Sequence, residues 1–166
     1  MVSKLTHEIA TAQAWKAFLV LSVAAGTMLI LIATNRFGFV LFVAALFGWL
    51  TSMAVELVKA NGVPTRRMGT VGALGFAFAL GFSFGDYLAF VIPKAFAPYL
   101  FSMFGFGFLG CMLYLMLCIG PLLAKLEERM GTKPRANAAL LVWLWPIGIW
   151  FLQPRLRQVL RDLPAT

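Results

Sequence analysis

Gly81-Phe82-Ser83-Phe84-Gly85 spells G-x-S-x-G, the pattern in which a serine on a sharp strand-to-helix turn becomes a nucleophile. Here the five residues lie inside an apolar run of helical character, and a serine also needs a base within reach. The single histidine, His7, precedes the first apolar segment and falls on the side of the membrane opposite Ser83. Gly105-Phe106-Gly107-Phe108-Leu109-Gly110 likewise spells G-x-G-x-x-G, but that fingerprint follows a strand and opens onto a pyrophosphate. Neither condition is met in an apolar helix, so both matches read as packing glycines.

Asp86 is the one acid well inside an apolar segment. Intramembrane acids mark proton or cation pathways by default, and a path lined by Asp86 is one reading. A single carboxylate with no second polar residue beside it makes a thin coordination shell, which favours a charge pair with Arg36 or Lys94 on the same side. Cys111 and Cys118 share a helix face but stand about 10 Å apart along the axis, beyond disulfide reach. Tyr114 carries a hydroxyl into the same segment, where it needs a partner that the sequence does not name. Glu56 is within one turn of Lys59. No histidine pair, carboxylate cluster or phosphate loop accompanies these residues, so no catalytic residue, metal or other cofactor is expected.

The elements that position these groups are membrane helices. Of the 166 residues, 61% are apolar and 12% charged, against about 45–50% and about 25% in soluble domains. The formal charge is +8, but the basic residues sit between apolar runs, which makes them topology signals rather than a nucleic-acid surface. The reading is an all-α integral membrane protein with four transmembrane helices and a C-terminal, Trp-rich hairpin that is re-entrant or interfacial. Five thin spans are the alternative.

In chain order, residues 1–16 form a cytoplasmic interfacial N-terminus with Leu5, Ile9 and Ala12 at helical spacing. The apolar run that follows is too long for a signal peptide core and has no cleavage site. Residues 17–124 hold the four spans: about 17–34, 37–58, 70–92 and 100–124. Pro93 and Pro98 bracket the last turn, and Gly120 and Pro121 bend the fourth span near its end. Residues 125–137 form a cytoplasmic loop. Residues 138–152 are too short to span comfortably and carry Trp143, Trp145 and Trp150, while a basic amphipathic helix follows Pro154. With the N-terminus cytoplasmic, four spans put Lys4, Lys16, Lys59, Arg66, Arg67, Lys125, Arg129, Lys133 and Arg135 inside and only Arg36 and Lys94 outside. That asymmetry sets the orientation in a plasma or bacterial inner membrane.

A small residue recurs at every fourth position of the third span, at Gly69, Ala73, Ala77, Gly81, Gly85 and Ala89. Such a ridge admits a close helix neighbour, and because it winds about 40° per step one straight partner follows only part of it. If Ile92 and Leu100 share a level, Gly85 faces Gly107 and Gly81 faces Cys111, with Gly110 on the same small face of the fourth span. These features favour a non-catalytic subunit of a larger membrane assembly serving transport or envelope construction, its partners being other integral subunits or further copies of itself. A homo-oligomeric channel or carrier using Asp86 and a lipid-handling enzyme are the alternatives. Arg155, Arg157 and Arg161, with the three tryptophans, are expected to meet anionic headgroups or a cytoplasmic partner.

Overall fold

A computed structural model describes residues 8–10, 14–32, 37–85, 92–93, 95–131, 141 and 147–162, and among these no strand occurs. The helices are α1 (Ala14–Ile32), α2 (Phe37–Ala60), α3 (Arg66–Ser83), α4 (Ala97–Arg129) and α5 (Ile147–Asp162). Residues 8–10 are also helical. Two stretches, Gly38–Ala60 and Ala97–Arg129, are long and apolar enough to cross a membrane.

α2 stops at a glycine that the geometry requires. Gly62 adopts φ +72°, and its N–H donates to Lys59 O at 2.9 Å while Val63 N–H donates to Val58 O at 3.0 Å. This left-handed cap closes the orphan carbonyls at the helix end. α4 ends on the same device at Gly131, φ +69°.

α4 corrects the expected boundary after residue 124. It runs 33 residues, through Pro121 and on to Arg129, so the polar segment expected as a loop begins as about one and a half more helical turns. A proline deprives only the carbonyl four residues earlier of its donor, and Leu123, Leu126 and Glu127 beyond it are buried. α5 likewise begins at Ile147 and passes through Pro154, so residues 147–152 belong to the amphipathic helix rather than to a separate hairpin arm. Residues 132–140 and 142–146 of the expected hairpin, with Trp143 and Trp145, lie outside the described residues.

α1 and α2 pack as one antiparallel pair and α3 and α4 as another, with α2 also against α3 and α4. α2 and α4 run parallel: the Phe47 and Phe108 rings sit 5.5 Å apart, and Asn61 Nδ2 donates to Leu122 O at 3.3 Å. Both pairs are 61 residues apart in sequence.

Burial divides this bundle along its length. Every buried residue of α4 lies between Leu115 and Glu127, while Tyr99, Met103, Phe106, Leu109 and Leu113 of its first half are exposed. The buried set continues through Met53, Leu57 and Val58 of α2 and Ile149, Leu152, Leu156 and Val159 of α5. Exposed apolar residues occur along the whole bundle, with Leu19, Val20 and Val23 on α1, Leu41 on α2, and Leu117, Trp150 and Phe151 at the end where the buried set lies. The division is therefore one of buried residues: one end has a dense buried core, and the first half of α4 contributes none to it.

Candidate functional site

Along the seam between α3 and α4, a glycine of one helix receives a phenylalanine of the other. A Cβ on Gly81 would meet the Phe104 ring at 2.5 Å, one on Gly85 the Phe101 ring at 2.7 Å, and one on Gly107 the Phe78 ring at 2.7 Å. Phe82 in turn lies over Gly105 at 3.6 Å, and its ring meets Phe101 edge-on at 4.8 Å. Facing residue numbers sum to 185–187, not to the expected 192. Gly85 therefore does not meet Gly107, nor Gly81 Cys111. Aligning glycine with glycine would leave facing notches empty, whereas rings set into notches gain dispersion contacts.

The buried face of α3 is Met68, Gly72, Gly75, Ala79 and Ser83. Gly72 lies against the Thr51 side chain, and Gly75 is wedged between the Phe47 ring and Cys111 Cβ. Of the expected ridge, Gly81 and Gly85 are covered by α4, while Gly69, Ala73 and Ala77 are exposed. A Cβ on Gly69 would meet nothing within 4 Å. Gly110 also faces outward with open space at its Cβ, which corrects its assignment to the α3–α4 contact. Cys111 does sit against α3, through Gly75, and both cysteines are free thiols. Ala89 lies outside the described residues, as do Asp86, Arg36 and Lys94.

Ser83 donates its hydroxyl to Ala79 O at 2.7 Å in its own helix, the ordinary back-bonded state of a helical serine. His7 lies outside the described residues. No group of three or more His, Cys, Asp or Glu side chains that could hold a metal occurs among the described residues. The Arg67 guanidinium stands 5.3 Å from the Tyr114 ring centroid, a cation–π geometry that engages the ring face.

At the densely packed end, α5 is fixed by two polar ties. Gln153, fully buried, accepts from Trp49 Nε1 at 3.2 Å and donates through Nε2 to Ala10 O at 2.8 Å and Ile9 O at 3.3 Å. Arg155 holds Glu127 at 2.8 Å, with side-chain exposures of 11% and 7%. The expectation that Arg155 meets headgroups is thereby corrected: a guanidinium so buried is stable only beside its carboxylate. Arg161 is exposed and Arg157 half-buried. Trp150 is exposed and meets Phe18 of α1 at 5.5 Å between ring centroids. Glu56 is also buried.

Sequence reasoning missed Gly72, Gly75, Gln153 and Glu127. The first two carry a legible signal, a 4-3-4 spacing of Met68, Gly72, Gly75 and Ala79 on one helical face. Gln153 was visible as the lone polar residue between Trp150 and Pro154. Nothing local marks Glu127 as the partner of Arg155. Compared with protein-family models, curated proteins and solved structures, the chain matches none.

Proposed function

We propose that the chain is a non-catalytic, four-span subunit of a larger membrane assembly. The observation that carries this reading is the half-used ridge of α3. Its outer half, Gly81 and Gly85, is filled by Phe104 and Phe101 of α4, while Gly69, Ala73 and Ala77 stay bare beside an exposed Leu74. In lipid, helix association depends on close approach and dispersion rather than on hydrophobic drive. A bare row of small residues is therefore a place where a neighbouring helix gains contacts that lipid chains supply poorly.

The division of burial supports the membrane placement. In lipid, large apolar side chains need no protein cover, whereas in water they do. Residues 97–114 of α4, α1, and the first halves of α2 and the α3 seam then lie in the bilayer. The buried set around Leu57, Leu123 and Leu156 becomes the core of a cytoplasmic cap, in line with the basic residues at that end. Lys16, Trp49, Trp150 and Tyr114 with Arg67 fall at the boundary, the depth favoured by Trp, Tyr and snorkelling cations. From Pro98 to Tyr114 is about 25 Å of helix, enough for a thin bilayer.

Purification of the tagged chain from its native membrane in mild detergent, with native mass measurement, tests the reading. Different polypeptides at fixed stoichiometry, lost in Ala73→Leu/Ala77→Leu while the chain itself stays folded, would support it. A pure homo-oligomer would move the weight to a channel or carrier and make Asp86 the next residue to substitute.

A further inference from the structure

Between Trp150 and Arg155, α5 touches α1, α2 and α4 in turn: Trp150 meets Phe18, Gln153 accepts from Trp49, and Arg155 holds Glu127. These ties and the buried Ile149, Leu152, Leu156 and Val159 fix which face of the helix looks outward. Trp150, Pro154, Arg157 and Arg161 follow at steps of four, three and four residues, which sets them in one line along that outer face. Trp150, Pro154 and Arg161 are exposed and Arg157 is half-buried, and an open hollow of about 430 Å³ lies beside Pro154, Arg157, Gln158 and Arg161. The acid that lines it, Asp162, stands about 100° round the helix from Arg161. Among the described residues no carboxylate pairs with Arg157 or Arg161.

Trp150 and its neighbour Phe151 are 48% and 57% exposed, so this face needs an apolar cover at one end and an anionic one at the other. The order of the groups tells which partner supplies both. Phe18, against which Trp150 packs, is followed on α1 by the exposed Leu19, Val20 and Val23, a row placed in the bilayer above. Beyond that row come the aromatic pair and then the arginines, about 10 Å and about 16 Å past Trp150 along the helix axis. Hydrocarbon, interface and charged headgroup succeed one another in the same order across a leaflet. Side chains on a helix lean toward its N-terminus, so both guanidiniums reach back toward Trp150 and the bilayer, as snorkelling arginines do. A soluble acidic partner would match the arginines alone, whereas the aromatic end of the line runs into the lipid-facing row of α1. We propose that the outer face of α5 docks on anionic phospholipid headgroups, with Trp150 and Phe151 in the interface and Arg157 and Arg161 on lipid phosphates, which the guanidinium fork suits. The inference rests on the membrane placement argued above and not on the subunit reading.

The test places the full chain in nanodiscs of phosphatidylcholine, with or without phosphatidylglycerol, and reads amide exchange over residues 147–162 by mass spectrometry. Phosphatidylglycerol should slow the exchange of α5 by up to about twenty-five-fold at low salt, about fivefold for each arginine at the surface. Raised salt should erase the difference. Arg157→Gln and Arg161→Gln should each remove about fivefold of the slowing, and the double variant all of it. Because the two bilayers are compared within each variant, a loss of helix packing does not mimic a loss of lipid contact. Exchange alike in both bilayers would overturn the proposal, as would a slowing that both substitutions leave intact. Should the bilayers act alike while the soluble fraction of the source cell slows α5 through the same arginines, the face belongs to a soluble acidic partner and the lipid reading falls. Alkaline carbonate extraction of the native membrane reads the placement separately. A chain released by it would remove both proposals, whereas a retained chain whose α5 is indifferent to lipid charge removes only this one.

Discussion

Arg155 and Glu127 meet through two parallel hydrogen bonds, Nε to Oε1 at 2.9 Å and Nη2 to Oε2 at 2.8 Å. The pair joins the basic C-terminal helix to the last turn of α4, and both side chains are nearly shut off from solvent. The fork geometry satisfies two acceptors at once, so α5 is held as part of the bundle. The helix whose composition reads as a free amphipathic tail is instead one wall of the densely packed end.

Removing one member of that pair leaves the other buried without its partner, a change that costs about 3–5 kcal/mol. Arg155→Ala is therefore expected to loosen α5, read as faster amide exchange across residues 147–162. The double exchange Arg155→Glu/Glu127→Arg should recover part of the protection. Unchanged exchange in Arg155→Ala would mean that the apolar face of α5 alone holds the helix.

Gln153→Leu removes the acceptor of Trp49 Nε1 and the donor to two carbonyls. Leaving such buried groups unpaired costs about 1–3 kcal/mol each. We expect a lower thermal midpoint and a shifted Trp emission, with the emission change absent when Trp49 is first replaced by Phe. An unaltered midpoint would show that water or other groups take over these bonds.

Gly81→Leu should disrupt the α3–α4 seam, because its Cβ would meet Phe104 at 2.5 Å. Overpacking of this kind costs about 1–3 kcal/mol. Adding Phe104→Ala should restore part of the loss, and Gly110→Leu, with open space at its Cβ, should change the midpoint little. Equal effects at Gly81 and Gly110 would contradict the seam.

These contacts show what could be read from residue order. The apolar runs, the turn at Asn61-Gly62 and the use of glycines to bring α3 close to α4 follow from composition and local chemistry. The register does not, because it depends on which large side chain fills each notch: matching small residues sets Gly85 against Gly107 and Gly81 against Cys111, whereas Phe101, Phe78 and Phe104 fill the notches at Gly85, Gly107 and Gly81. The end of α4 expected at residue 124 follows from the charged run that starts at Lys125, whereas burial of Leu126 and Glu127 carries the helix on to Arg129. The Arg155–Glu127 pair joins residues 28 positions apart, beyond any periodicity that a helix imprints on sequence.

The proposed membrane boundary predicts a labelling pattern. In a Cys111→Ala/Cys118→Ala background, single cysteines at Leu109 and Leu113 should resist a water-soluble maleimide in intact membranes. Cysteines at Lys125 and Glu128 should react from the cytoplasmic face. Ready labelling at Leu109 would place the first half of α4 in water and remove the division on which the placement rests.

The central claim is that the bare half of the α3 ridge receives a helix from another polypeptide. A photo-crosslinking amino acid placed at Ala77 in the native membrane tests it most directly, with Gly81 as the internal control. The account predicts a discrete adduct of fixed added mass at Ala77, containing a different membrane protein, and only intramolecular crosslinks to α4 at Gly81. Adducts at Ala77 made solely of lipid, or solely of further copies of this chain, would contradict it.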